Sequence, residues 1–452
     1  MAIGENGNVA AAEMLPGRRL SVKEADPTKG AYFWLFCFFI VYCTRFQDFL
    51  DFPGSVYIPW AKFPAIMAIL GLFSALGRTK RTFKDLPKMS KYLLGMTILM
   101  YIGAFLSPIW KGGALKHTID FSKIYVIWVL TFLIIIEFKR LRRIIFVQAF
   151  SVVLVCVVAI IKGYNVPRLD QVMGGFYGNP NDFAFAVVLS LPYALAFFVT
   201  TKKMAMKVFW LFGMLAMLAV IFLTASRAGF IDLVCSYSVM LYYYGIKGKR
   251  YYLIIGTVVF GGLLAVTVGG KLYDRFNAMS GNTALERSAY GSMEARKYLM
   301  ERAIQGMKEY PLLGLGNHNF LTYSGIWHEV HMTYLQIGVE GGIPMLLLYL
   351  MFFYRDFQNM FALRRMKLET NIRVFSEALT GTQVGFVVGA LFAPEAYQFF
   401  PYFAAVFTVT LLQTAQEEQQ VASPASPPPK KARHFLEVYA DRGSAGTVTP
   451  VR

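Results

Sequence analysis

Predominantly apolar residues in this chain come in runs of about 18 to 23, long enough to cross a hydrocarbon core of ~30 Å at ~1.5 Å per helical residue. About twelve such runs lie near 30–48, 56–76, 91–109, 119–137, 144–162, 183–201, 208–225, 229–245, 251–269, 332–354, 374–393 and 396–414. They predict an all-α integral membrane protein with about twelve transmembrane helices. Short polar connections separate most of the runs. One connection is long, residues 270–330 between the ninth and tenth runs. Within it Glu294 to Tyr310 predicts a helix ended by Pro311. At 100° per residue its Met293, Met300, Ala303, Ile304 and Met307 form an apolar stripe, and Lys297, Glu301, Lys308 and Glu309 a polar face.

Composition supports the reading: 56% of the 452 residues are hydrophobic and 16% charged, against about half and a quarter in a soluble domain. The net charge of +18 could suggest nucleic acid, but the basic residues gather in alternate connections. These hold Arg78 to Lys91, Lys139 to Arg143, Lys202 to Lys207, Lys247 to Arg250, and Arg355 to Arg373. Under the positive-inside rule those connections and both termini are cytoplasmic, and the long loop is periplasmic. No nucleic-acid partner is expected. Residues 1–29 and 417–452 read as disordered cytoplasmic extensions flanking a membrane domain over 30–416. The four cysteines fall within spans without metal-ligand spacing.

The candidate chemistry lies at the outer end. Arg296 breaks the amphipathic pattern by falling on the apolar stripe. It either snorkels to a lipid headgroup or faces a pocket. In HEVHMTYLQIGVEGGIP, His331 shares an ideal helical face with Leu335, Gly338 and Gly342, a seam that lets a neighbouring helix approach. His331 is then either a base in a partly watered pocket or a structural histidine at a helix start. His328 is the reserve base, and His318 lies in a glycine-rich turn. Glu340 sits ~13 Å deeper by helix rise and on the opposite face, an intramembrane acid and so a functional candidate. Arg227 occupies the turn in TASRAGF. FYGNPNDFAF sets Asn179, Asn181 and Asp182 at the start of the sixth span, where Asn181 or Asp182 is expected to cap the helix.

Taken together, GNPND (Gly178 to Asp182), TASRAG (Thr224 to Gly229), EARKYLMERAIQGMKEYPLLGLGNHNF (Glu294 to Phe320) and HMTYLQIGVEGGIP from His331 resemble the O-antigen ligase and polymerase superfamily. Arg296 precedes Pro311 of the P-L-x-G-x-G segment by fifteen positions, as is common there. Met332 departs from the family's H-N-x-Y-L. The similarity is good over about 170–350 and only topological before that. It implies a membrane-embedded glycosyltransferase that moves a glycan from undecaprenyl diphosphate to a hydroxyl on lipid A-core, a growing polysaccharide or a protein. The reaction would occur at the periplasmic face of the bacterial inner membrane, with ligase slightly favoured over polymerase. The family's two arginines and histidine map onto Arg227, Arg296 and His331. Asn179, Asn181, Asp182, Tyr334 and His328 are then expected glycan contacts.

The chemistry suits those residue types. Displacing a sugar from a lipid diphosphate leaves negative charge on phosphate oxygens, which guanidinium groups bind bidentately while staying charged. The attacking alcohol gains from a base of near-neutral pKa. Inversion by single displacement is predicted, because no motif recommends Glu286, Glu294 or Glu329 as a nucleophile. No D-x-D triad or nucleotide-binding motif is present, so neither metal nor cofactor is expected. A twelve-span transporter is the rival reading. It would place functional groups near the bilayer midplane and show repeats.

Overall fold

The computed structural model describes residues 26–46, 60–166, 168–267 and 284–422. Among them every regular element is helical. The helices are α1 (Lys29–Thr44), α2 (Lys62–Ala75), α3 (Lys88–Phe105), α4 (Lys111–Ile134), α5 (Phe138–Lys162), α6 (Pro180–Thr200) and α7 (Met204–Thr224). They continue with α8 (Arg227–Met240), α9 (Tyr251–Thr267), α10 (Ala284–Glu309), α11 (Phe320–Tyr323), α12 (Thr333–Arg365), α13 (Thr370–Gly389) and α14 (Phe399–Ala422). Among the described residues each apolar run read from the sequence carries a helix. Five of them, α4, α5, α6, α7 and α12, are each long and apolar enough to cross a membrane alone, while α1, α2 and α9 are apolar but shorter.

The core centres on α6, which packs against α5, α7, α8 and α13 and buries nearly every residue from Phe183 to Phe197. Aromatic contacts knit the rest of the bundle, such as Phe39 against Phe403 and Phe353 against Phe386. A 14-residue α8 passes into a π-helical turn, Leu241–Lys247, that completes its run.

At one end of the bundle lie the basic connections, and here two arginines are more than topological charges. Arg81 is buried. It donates to the carbonyls of Phe132 (3.1 Å) and Ile135 (2.7 Å) at the end of α4, donates to Thr414, and pairs with Glu417. It thereby satisfies carbonyls that a helix terminus leaves without an intrahelical donor. Arg140 donates to Thr28 and to the Ile134 carbonyl, and pairs with Asp26. Because Glu417 belongs to α14, which runs to Ala422, the ordered chain passes the tail boundary expected at 417. The earlier part of the expected N-terminal extension and residues 423–452 lie outside the described residues. The four cysteines are free.

Candidate functional site

At the other end, α10 lies along the first turns of α12. Its buried face is Leu299, Ala303 and Met307, packed with Leu315, Phe320, Val330 and Val339. Met300 and Ile304, expected on that stripe, are exposed. Met293 lies among the residues whose side chains are not described. Contact is close because small residues meet there. A Cβ on Gly306 would stand 2.8 Å from Val339, and one on Gly338 would stand 2.6 Å from Met307. Arg296 is one turn before Leu299 on this same face and is half-buried.

The break in α12 explains VEGGIP. Gly342 has φ 78°, ψ 174°, so the 33-residue helix is two helices joined at a kink. Into the kink docks the chain from Pro311 to Gly316. Leu315 N–H donates to the Val339 carbonyl (2.9 Å), Gly316 N–H to the Glu340 carbonyl (2.9 Å), and Ile343 N–H to the Pro311 carbonyl (2.8 Å). Backbone meets backbone, so side chains are excluded: a Cβ on Gly314 would be 2.4 Å from the Glu340 carbonyl carbon, and one on Gly342 2.5 Å from that of Leu312. Gly314 also holds φ +66°, a region costly to residues with a Cβ. Gly314→Ala is expected to lower stability by at least ~1–3 kcal/mol, read as an earlier thermal unfolding transition in detergent.

Glu340, a functional candidate by position, is a structural anchor here. It is buried; its carboxylate accepts from the backbone N–H groups of Phe320 (3.3 Å) and His318 and from the Tyr397 hydroxyl (2.6 Å). These bonds fix the glycine-rich turn over the kink. Ser107 and Asn319 hold it from the far side, Ser107 Oγ donating to the Leu315 carbonyl (2.7 Å) and Asn319 Nδ2 to Ser107 Oγ (2.8 Å).

His331 stands just before α12, whose first residue is Thr333, so it is not on the helical face that ideal numbering suggested. Burial, then the positive charge of Arg296 and then His328, push its pKa down to about 4. Arg296 and His331 are therefore electrostatic neighbours, and at neutral pH the imidazole is uncharged. Among the described residues His331 Nδ1 has no hydrogen-bond partner. His328 is exposed. His318 instead packs against His117, the rings tilted by 37° with centroids 4.0 Å apart, and burial and His117 push it to about 4. Its Nδ1 lies 3.4 Å from Glu329, a polar contact of a neutral ring.

The cap of α6 is Asn179, two positions before Asn181 and three before Asp182, the expected caps; its side chain accepts from Asn181 N–H (2.8 Å). Pro180 is the reason: its fixed φ and missing N–H suit the first helical position. Asn181 is thereby free to accept from Ser226 Oγ (2.8 Å), and Ser226 caps α8 by accepting from Gly229 N–H (3.1 Å). GNPND and TASRAG interlock, with half-buried Arg227 as the first residue of α8. Arg168, which the sequence did not single out, donates to the Thr224 carbonyl (2.7 Å) and steadies that turn.

Asp182 turns inward, and its carboxyl lies near that of Glu395 in the connection from α13 to α14. Burial, then the Asp182 carboxyl beside it, drives Glu395 well above the usual carboxylate range. The Glu395 N–H donates to Thr333 Oγ1 (2.9 Å), which donates to the Ala393 carbonyl (2.7 Å). A continuous line of contacts thus runs from the His331 segment through Thr333, Glu395, Asp182, Asn181 and Ser226 to Arg227. Tyr334 stands outside it, its hydroxyl donating to the Val387 carbonyl (3.1 Å). Glu329, set aside for want of a motif, belongs to this acid neighbourhood, because it bears on Asp182, Glu340 and Glu395. Glu395 was missed. Its signal was one acid inside the apolar FAPEAYQFF. Among the described residues no cluster of histidine, cysteine or acid side chains has a metal-holding arrangement.

The chain has no match among curated proteins. Residues 212–350 match the family model described as O-Antigen ligase, a stretch from α7 into α12 that carries Arg227, Arg296 and His331. Over those residues the chain is similar to the O-antigen ligase family.

Proposed function

We propose that this multi-pass membrane protein transfers a glycan from undecaprenyl diphosphate to a hydroxyl acceptor, with its twelve apolar helices crossing the bacterial inner membrane. The basic end faces the cytoplasm and the His331 end the periplasm, by the distribution of Lys and Arg. The observation that carries the reading is the electrostatic proximity of a half-buried Arg296 and a half-buried, uncharged His331. A cation and a neutral base side by side suit a reaction with an anionic leaving group and an alcohol nucleophile.

In the transfer, the acceptor oxygen attacks the anomeric carbon as the bond from that carbon to the phosphate oxygen breaks. The acceptor proton passes to His331, and undecaprenyl diphosphate leaves as the anion, giving inversion. Arg296 and Arg227 hold the diphosphate oxygens and stabilise the charge that develops on them. Donor binding also tunes the base. A diphosphate beside Arg296 offsets the positive charge that disfavours His331 protonation, so the imidazole becomes more basic when the leaving group is in place. Burial raises the pKa values of Asp182 and Glu395, which disfavours a free carboxylate nucleophile there, in keeping with single displacement. A lipid A-core sugar is the favoured acceptor, with a growing polysaccharide or a protein hydroxyl next.

The transporter reading would rest on Asp356, buried in α12 with neither carboxyl oxygen hydrogen-bonded among the described residues. It stands apart from other acids, whereas Asp182, Glu329, Glu340 and Glu395 influence one another at the bundle end that carries His331. The direct test is transfer of a radiolabelled glycan from undecaprenyl diphosphate to lipid A-core by purified protein. Activity is expected to survive EDTA within about twofold, since guanidinium groups supply the positive charge. Loss on chelation with recovery on added magnesium would refute the metal-free step, and no transfer to any acceptor class would refute the reaction.

A further inference from the structure

At the basic end, away from Arg296 and His331, stands Arg142 of α5. Its neighbours Arg81 and Arg140 each pair with a carboxylate, Glu417 and Asp26. Among the described residues Arg142 has no such partner. Its guanidinium lies over Phe197 (5.5 Å) and Phe375 (5.7 Å), and its Nε is buried without a hydrogen bond. Sequestering a cation is costly unless an anion accompanies it.

Arg142 also lines a cavity of about 300 Å³ between α5, α6 and α7. Lys139 and Arg143, both exposed, stand with it on one wall, and Thr201, Phe146 and Trp210 line the rest. The apolar side does not end in the cavity. Phe146 stacks on Phe150 and Phe150 on Phe209, with Phe150 facing outward. Cations above a strip of rings that continues along the lipid-facing surface match a molecule with an anionic head and an acyl tail.

We propose that this cavity holds the headgroup of an anionic phospholipid from the leaflet at the basic end. The phosphodiester sits on Arg142 with Lys139 and Arg143 around it, and an acyl chain follows Phe146 and Phe150. A free phosphate would satisfy the cations but would leave the aromatic strip unused.

Native mass spectrometry of the full chain released from detergent tests this, with phosphatidylglycerol, phosphatidylcholine and inorganic phosphate as probes. Wild type is expected to retain phosphatidylglycerol more than about tenfold over phosphatidylcholine, with inorganic phosphate failing to displace it. Each cation removed should weaken retention roughly fivefold. Arg142→Gln reads the central contact. Lys139→Gln with Arg143→Gln, both at exposed positions, carries the test if the first variant folds poorly. Lys367→Gln, an exposed cation at this end that is not part of the cavity, should change nothing. Equal retention of the two lipids, displacement by inorganic phosphate, or wild-type retention in the Lys139/Arg143 variant would each overturn the assignment.

Discussion

His331→Ala is expected to slow glycan transfer by ~10²–10⁴-fold, the usual contribution of a general base, without loss of the folded protein. The segment stays in place because Thr333, not His331, makes the hydrogen bonds to Ala390, Ala393 and Glu395. His328→Ala is the matched control. His328 is exposed and should keep activity within about threefold, well short of a base's contribution. The pH profile adds a second, independent readout. Burial, Arg296 and His328 hold the His331 pKa near 4, whereas the unfolded chain takes up this proton near ~6.5. The sign follows: stability from this group is complete above pH 6.5 and is lost as pH falls toward 4. The uncharged base persists over that same window. In the free enzyme, kcat/KM should therefore hold through pH 6 and decline only toward pH 4. A decline centred near 6.5, or normal transfer by His331→Ala, would remove this histidine as the base.

Arg296→Lys is expected to lower transfer by ~10²–10³-fold, comparable to losing one preorganised donor to a developing oxyanion. Lysine keeps the charge but lacks the planar fork that grips two phosphate oxygens. The loss should fall mainly in kcat, since charge attraction in the ground state remains. Arg296→Gln separates the two duties of this residue. With the cation gone, one of the influences that depress His331 is removed, and the acid limb of the pH profile should move up toward neutrality. Under Arg296→Lys the limb should stay where it is. Wild-type rates in Arg296→Lys would refute bidentate holding of the diphosphate, and an unmoved limb in Arg296→Gln would refute its hold on His331.

The helices were legible in the sequence because a membrane span needs nothing beyond its own run of apolar residues. The stripe of α10 was half legible. Periodicity found Ala303 and Met307, but the burial of Leu299 and exposure of Met300 and Ile304 depend on where Val330 and Val339 stand. Arg296 and His331 were legible as individual residues, and the motif glycines as breaks. Their reason was not. Gly314 and Gly342 are glycines because two distant backbones touch there, and no local pattern encodes a partner. Asn181 was mistaken for a cap because the role of Pro180 was not weighed, and Glu395 went unseen because its partner Asp182 is over two hundred positions away. Arg81 and Arg140 looked like loop charges for the same reason.

The floor beneath the candidate site is stitched from remote parts of the chain. Ser107 reaches Leu315 across 208 positions, and Tyr397 closes on Glu340 across 57. During synthesis the glycine-rich turn and the kink of α12 emerge first and must wait for Tyr397 and the Glu395 connection. The end that carries His331 therefore matures last. A nascent chain halted before residue 395 would have eleven of its apolar runs and all three family-matched residues, yet its Thr333 and Glu340 would lack their clasp. Competence in this protein waits on the connection between α13 and α14.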